Sequence, residues 1–325
     1  MARGSTQRER NPYPFSDTNK RYHTYEYYLR HTFGGKVAKI PLDMGLTCPN
    51  IDGRCGVGGC IYCSGRGSGD FAESSLLPIE EQYRLVRDKL SSKWDTGRCI
   101  PYFQAHTNTY APLSTLKPMF ERALALEGAV GLNIATRADC LSEEVCAYLG
   151  ELAERTVLTV ELGLQSSNDR TAADINRGHD FSVFCEGYAR LRAASPKIGI
   201  CVHIILGLPG EGREEMMRTV ADVAALHPDA VKLHLLHVLR GTELERRYRK
   251  GMYTPLEKEA YVSLVVDAIE RLPADTVIAR VTGDGMADEL IAPDWSRKKV
   301  SVINDIDKLL YERNSWQGKY AEPIG

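Results

Sequence analysis

The sequence predicts an α/β fold, a partial barrel of six βα units with a C-terminal extension. Two observations carry this. Short β-branched or aliphatic runs alternate with amphipathic stretches six times between residues 36 and 272, a pattern that favours a parallel sheet with right-handed crossovers. Six units are too few for a closed eight-unit barrel and do not match a doubly wound sheet. A Gly- and Cys-rich loop also follows the first strand-like run, at the strand C-terminal ends where such folds place their chemistry.

The elements follow in order. Residues 1–20 are polar, contain two prolines, show no apolar periodicity and read as a flexible arm. Tyr22–Phe33 carries aromatics at helical spacing. The strands are expected at Val37–Met44, Ile100–Thr107, Gly131–Thr136, Thr156–Leu164, Ile198–Leu206 and Ala230–Leu236. Helices are expected at 79–92, Leu113–Leu126, Ser142–Arg155, Ser182–Ala194, 213–226 and Leu256–Arg271. Ser142 with Glu143 and Glu144 forms a helix-start signal. The main body therefore spans 21–272, with the cysteine loop at 45–70. The C-terminal extension, 273–325, holds a strand at Thr276–Val281 and a helix at 302–313.

Hydrophobic residues make up 43% and charged residues 26% of the 325-residue chain, the ordinary globular range. Formal net charge is −2, so any nucleic acid must be held by a local basic face. No apolar run is long enough to span a bilayer, and Met1–Asn11 lacks the apolar core of a signal peptide; a cytoplasmic protein with no membrane partner is expected.

Of the nine cysteines, Cys48, Cys55, Cys60 and Cys63 fall within sixteen residues. Cys99, Cys140, Cys146, Cys185 and Cys201 lie in apolar or helical stretches and read as small buried hydrophobes. The Cys60-Ile-Tyr-Cys63 pair can converge on one metal centre, and the loop glycines permit a tight fold. Two readings stand on spacing: Cys48, Cys60 and Cys63 holding an iron–sulfur cluster with one iron open, or all four cysteines holding zinc.

Several segments are shared with a known family. Eleven residues separate Cys48 from Cys60, and around them stand Lys39-Ile-Pro-Leu-Asp43, Cys48-Pro-Asn, Asp52-Gly and Gly58-Gly-Cys60. Farther on come Glu161-Leu-Gly-Leu-Gln-Ser166, Asn176-Arg-Gly-His179, Arg280-Val-Thr-Gly-Asp284, Trp295 and Gln317-Gly-Lys319. With these, residues 20–320 closely resemble the YhcC/YtqA family of radical S-adenosylmethionine (SAM) proteins. Several segments also look like the radical domain of the elongator-type tRNA-modifying enzymes. Cys55 departs from the expected pattern and reads as a passenger.

The resemblance implies a radical SAM barrel with a 4Fe–4S cluster on Cys48, Cys60 and Cys63. SAM would bind the open iron and be cleaved reductively to a 5′-deoxyadenosyl radical. It also implies cofactor contacts. Tyr62 is the aromatic between the paired cysteines, and Gly207 and Pro209 lie in the Gly207-Leu-Pro-Gly-Glu211 turn that would border the adenine. Gln104, Thr107 and Asn108 end the second strand, where the cofactor amino group is held, although Thr-Asn-Thr also reads as a plain turn. Glu161, at the end of the fourth strand, is a ribose or partner contact, since a buried carboxylate needs a partner, and Gln165, just beyond it, is a further cofactor contact. Arg177 would pair with the methionine carboxylate. By period two Lys232 and His234 share a face, and with His203 and His237 they are further substrate-contact candidates.

The implied partners are a tRNA substrate, a low-potential electron donor of flavodoxin or ferredoxin type, and a downstream methyltransferase acting on the same wobble-uridine side chain. Basic runs at Arg240, Arg246–Lys250 and Arg297–Lys299 would meet phosphates, with Trp295 stacking a base. Two other readings remain: a zinc-stabilised tRNA- or protein-binding module without catalysis, and a radical SAM enzyme acting on a small, porphyrin-like molecule.

Overall fold

The computed structural model describes residues 11–67, 69, 71–92, 96–283, 285 and 288–321. Residues 1–10 of the expected arm, 68 and 70 of the cysteine loop, and Asp284 lie outside these. The elements are α1 (Tyr25–Phe33), β1 (Ala38–Leu42), α2 (Ile79–Ser91), β2 (Cys99–Phe103), α3 (Leu113–Leu124), β3 (Gly131–Thr136) and α4 (Glu143–Ala153). Then come β4 (Val157–Gln165), α5 (Asp169–Asp174), α6 (Phe181–Ala194), β5 (Gly199–Leu206), α7 (Arg213–Ala225) and β6 (Ala230–Leu235). The chain continues with β7 (Val238–Leu239), α8 (Glu243–Arg249), α9 (Lys258–Arg271), β8 (Val277–Arg280), β9 (Leu290–Ala292) and α10 (Lys299–Glu312). No helix among the described residues is long and apolar enough to cross a membrane.

Seven strands form one parallel sheet in the order β1-β2-β3-β4-β5-β6-β8, a half-barrel. The six expected strands are consecutive in it. The seventh, β8, comes from the stretch read as an extension and pairs parallel with β6, Ala230 opposite Val277, with a register shift after Val231. β7 and β9 make a separate antiparallel pair.

Side chains alternate across a strand, so each strand divides its residues between two layers. On β4, Leu158, Val160, Leu162 and Leu164 join the main core, as do Ile200, Val202, Ile204 and Leu206 of β5. They pack with the helices, including Phe184, Tyr188, Val220, Val223, Val265 and Ile269. Phe103 of β2 meets Phe120 of α3 with ring centroids 5.5 Å apart. Truncating either to Ala would cost about 3–5 kcal/mol. The other layer is polar: Lys39, Tyr102, Asn133, Glu161, His203 and Lys232 occupy the alternate positions on β1 to β6.

Local capping fixes the helix starts. Ser142 accepts from the Val145 amide and Asp180 from the Val183 amide, satisfying donors the helix leaves unpaired. α1 closes one end of the inner layer: Tyr25 and Tyr28 pack on Cys201, Ala230 and Val277, and the His23 carbonyl accepts from the Ile278 amide at 2.8 Å. Gln317 ties both ends of the chain together. Its amide donates to the carbonyls of Pro273 and Thr276 (2.6 and 2.7 Å) and its oxygen accepts from the His23 amide (2.8 Å) and the Tyr13 hydroxyl (3.3 Å).

Candidate functional site

The cysteine loop leaves β1 at Asp43, which Gln82 of α2 grips from both sides: the Asp43 amide donates to its oxygen at 2.8 Å and its amide donates to the Asp43 carbonyl at 2.9 Å. Inside the loop, Gly58 and Gly59 have φ of 80° and 74°, a conformation that favours glycine. The Cys63 amide donates to the Cys60 carbonyl at 3.0 Å, closing the tight turn. The loop is anchored to the segment after α5. Asn176 donates to the carbonyls of Gly59 (2.7 Å) and Val57 (3.1 Å), Ile61 donates to Ile175 (3.1 Å), and Asn50 donates to the Asn176 carbonyl and to Cys60 Sγ (3.6 Å). Leu244 of α8 donates to the Ile61 carbonyl at 2.8 Å from the other side.

The result is that Cys48, Cys60 and Cys63 line one cavity of about 220 Å³ at the C-terminal ends of the strands. Cys55 does not line it. That thiol is exposed and lies 3.6 Å from the Asp139 carboxylate.

Two guanidinium groups face the cysteine end of the cavity. Arg137 grips Asp139 with two bonds of 2.8 Å and donates to the Arg177 carbonyl at 2.9 Å. Arg177 donates to the Gly163 carbonyl, and its Nε is buried without a hydrogen-bond partner. A hydrogen bond from Cys63 holds the Cys60 thiol well below its ordinary value against the cost of burial, with Arg177 and Arg137 adding to the effect. Three free thiols on one cavity, one of them favoured as thiolate beside two fixed cations, fit a cluster ligated by three cysteines and carrying net negative charge. Gln165 sits at the register shift between β4 and β5 with φ of 77°, which a non-glycine residue adopts only when its surroundings hold it there. Its amide folds over Gly163, where a Cβ would come within 2.8 Å of it.

Deeper in the cavity, Glu161 is the centre of a buried network. Its Oε1 accepts from Lys39 (2.7 Å) and Asn133 (3.0 Å). Its Oε2 accepts from Tyr102 (2.6 Å), His203 (3.0 Å) and Lys232. Burial alone would raise this carboxyl; Lys232, Lys39 and His203 override it and hold the group well below the usual carboxylate range. Burial pushes His203 down to about 4 and Lys232 down to about 8.

The expected site residues are distributed as follows. Tyr62, Gln104, Thr107, Glu161, Gln165, Arg177, His203, Lys232, His234 and His237 all line the cavity with the three cysteines. Asn108 is not on its wall; it is buried and donates to the carbonyls of Phe103 (3.1 Å) and Ala135 (2.9 Å), bracing the turn after β2. Gly207 and Pro209 are also off the wall: Gly207 bonds Met216 and Tyr253, which stand behind it. Glu161 lies in mid-strand and not at the strand end, because β4 runs on to Gln165. β2 stops at Phe103, so Gln104 and Thr107 belong to the following loop.

The three arginines of the Arg246–Lys250 run are paired: Arg246 with Glu243, Arg247 with Asp174 (2.8 Å) and Arg249 with Glu245 (2.7 Å). Trp295 corrects the stacking expectation. Its indole donates to the Leu256 carbonyl at 3.1 Å and packs on Tyr261, so it serves the body of the protein. Arg137 was not among the expected site residues, and Asn50 stood in the Cys48-Pro-Asn segment with no role assigned. Arg137 follows the third strand directly, at the end where the site was expected, and that position was its only signal.

Comparison with known proteins agrees with this geometry. Residues 51–223 match the Radical SAM superfamily and residues 228–312 match the Radical_SAM C-terminal domain. The chain is 47% identical over 316 residues to the uncharacterized protein YtqA of Bacillus subtilis, covering 97% of this chain and 98% of that one. It is 33% identical over 159 residues to Elongator complex protein 3 of Danio rerio, covering 48% of this chain and 28% of that one. The solved structure of Elp3 from the archaeon Methanocaldococcus infernus superposes with a TM-score of 0.66 at 19% identity, over 86% of this chain and 64% of that one, and shows the same fold. The superfamily uses a 4Fe–4S cluster and SAM, and its enzymes need an electron donor. The chain belongs to the radical SAM superfamily and, within it, to the family of YtqA and YhcC.

Proposed function

We propose that this protein is a radical SAM enzyme that modifies tRNA at the side chain of a wobble uridine, with Cys48, Cys60 and Cys63 as the cluster ligands. One observation carries the enzyme reading: those three thiols line a single cavity with Gln165 and Arg177, while Cys55 stands outside it. The chemistry supplied by the bound cofactors is reductive cleavage of SAM to methionine and a 5′-deoxyadenosyl radical.

The chain's own residues prepare the place. Arg137 and Arg177 set a positive field at the thiolates, and in this reading Arg177, whose Nε has no hydrogen-bond partner, takes the methionine carboxylate. Gln104, Thr107 and Tyr62 furnish polar and aromatic walls for the rest of the cofactor. The buried inner layer from β1 to β6 keeps water from the far end.

The tRNA reading is supported by the relatedness to Elongator complex protein 3 and by the segments shared with elongator-type tRNA-modifying enzymes. Arg240 adds to it modestly, an exposed cation directly after the cavity-lining Leu239. A flavodoxin or ferredoxin supplies the electron, and a separate methyltransferase takes up the product in this reading.

The test is anaerobic turnover with SAM and dithionite, with and without tRNA from cells lacking the gene, followed by mass spectrometry of the tRNA nucleosides. A tRNA-dependent rise in 5′-deoxyadenosine with a mass change at one uridine supports the proposal. Cofactor cleavage that ignores tRNA and leaves every nucleoside unchanged sends the search to small molecules.

A further inference from the structure

We infer that Asn50 is a positioning residue for electron uptake: its side-chain amide donates to the sulfur of Cys60 and so raises the reduction potential of the cluster that this cysteine holds. The inference rests on the reading of Cys48, Cys60 and Cys63 as the cluster ligands.

Of those three cysteines Cys60 is the buried one, and Asn50 beside it is 0% exposed. Asn50 Nδ2 stands 3.6 Å from Cys60 Sγ, within reach of an N–H···S bond because sulfur is larger than oxygen. The other contact of the amide fixes which end faces the sulfur. Nδ2 also meets the Asn176 carbonyl, which can only accept, so that end is the NH2 group. An NH2 group carries two N–H donors; one goes to Asn176 and the second is left for Cys60.

The opposite end of the same amide points to a role beyond bracing. Asn50 Oδ1 is buried without a hydrogen-bond partner, although buried polar groups nearly always find one. A side chain kept only to join two loops would be expected to satisfy both of its ends. Here the acceptor goes unpaired while the donor is held at the thiolate. Two glycines make the placement possible: a Cβ at Gly178 would come 2.8 Å from Oδ1, and one at Gly56 closer still.

The chemistry gives the direction of the effect. One electron from the low-potential donor adds one negative charge to the cluster and its cysteine sulfurs, with no bond made or broken. A fixed N–H dipole aimed at one of those sulfurs favours the more negative, reduced form. The buried setting strengthens it, because the effective dielectric there is low. Cys63, Arg177, Arg137 and Tyr62 also act on Cys60, and all four remain when Asn50 alone is changed.

The experiment is an anaerobic redox titration of the reconstituted full chain, followed by electron paramagnetic resonance of the reduced cluster, with bound iron counted. Asn50→Leu keeps the approximate shape of the side chain and removes both donors. Asn176→Ala loses the bonds to Gly59 and Val57 in the same loop but leaves the Asn50 amide and the carbonyl it meets. With about four irons retained, the Asn50→Leu midpoint should fall by about 59 mV, a tenfold change in the reduced-to-oxidised ratio of a one-electron couple. Asn176→Ala should titrate with wild type. An unchanged midpoint in Asn50→Leu would overturn the inference. So would an equal fall in Asn176→Ala, which would assign the effect to loop anchoring. Should Asn50→Leu hold no iron, protein labelled with nitrogen-15 at the asparagine side-chain amide decides. Pulsed resonance of its reduced cluster should show a nitrogen-15 coupling that Asn176→Ala keeps, and absence of that coupling overturns the inference. Wild type that takes up no iron, or Cys60→Ala that keeps a reducible four-iron cluster, would instead sink the ligand reading itself, and the inference with it.

Discussion

Asn176 donates to the carbonyl of Gly59 at 2.7 Å, one residue ahead of Cys60. The contact joins two distant segments, the cysteine loop and the loop that carries Arg177, so ligand and cation are positioned together. Asn176 holds φ of 54°, which asparagine tolerates better than alanine. Asn176→Ala removes two hydrogen bonds and adds backbone strain, a cost of about 1–3 kcal/mol. The expected outcome is a faster loss of cluster absorbance in air with little change in far-ultraviolet circular dichroism.

The Glu161 network predicts an asymmetry. Removing the carboxylate leaves Lys39 and Lys232 facing each other in a buried layer, whereas removing Lys232 leaves one intact pair. Glu161→Ala should destabilise by about 3–5 kcal/mol, as for an orphaned buried charge, and Lys232→Met by much less. Denaturant midpoints of the two variants check the order. Equal losses would mean that the second ammonium is needed for stability.

Gly163→Ala would place a methyl 2.8 Å from the Gln165 amide and 3.2 Å from an Arg177 nitrogen. Overpacking of this kind costs about 1–3 kcal/mol, and here it displaces the two residues that line the cysteine end. SAM affinity should fall at least as steeply as stability. Calorimetric titration beside thermal melting separates the two.

The pH dependence follows from the buried histidines. Burial pushes His203 and His237 down to about 4, against about 6.5 for a free imidazole. Between those values the unfolded chain binds protons that the folded chain does not. Their contribution is therefore complete above about pH 6.5 and is lost as pH falls towards 4, up to roughly 3 kcal/mol for each group. The denaturant midpoint should drop between pH 7 and 5, and His237→Asn should flatten part of that slope.

Much of this was legible in the sequence for a physical reason: strands of five to nine residues with β-branched runs repeat the period often enough to be seen. Period two also placed Lys232 and His234 on one face, and both line the cavity. The two-residue strand β7, the three-residue β9 and the short helices α5 and α8 were not visible, because each spans too few periods. The partners of Glu161 were hidden differently. Lys39 and Lys232 stand 122 and 71 residues away, and only the strand register brings them together. Trp295 misled because an aromatic beside basic residues reads the same whether its ring faces solvent or Tyr261.

The central claim is that three cysteines, and not four, hold a cluster that cleaves SAM. The most direct measurement is 5′-deoxyadenosine released by wild type, Cys55→Ala and Cys60→Ala after anaerobic reconstitution with iron and sulfide, then dithionite and SAM, with bound iron counted in each. Product and about four irons are expected in wild type and Cys55→Ala, and no product in Cys60→Ala. No product from any of the three, with one zinc retained only when all four cysteines are present, would contradict it.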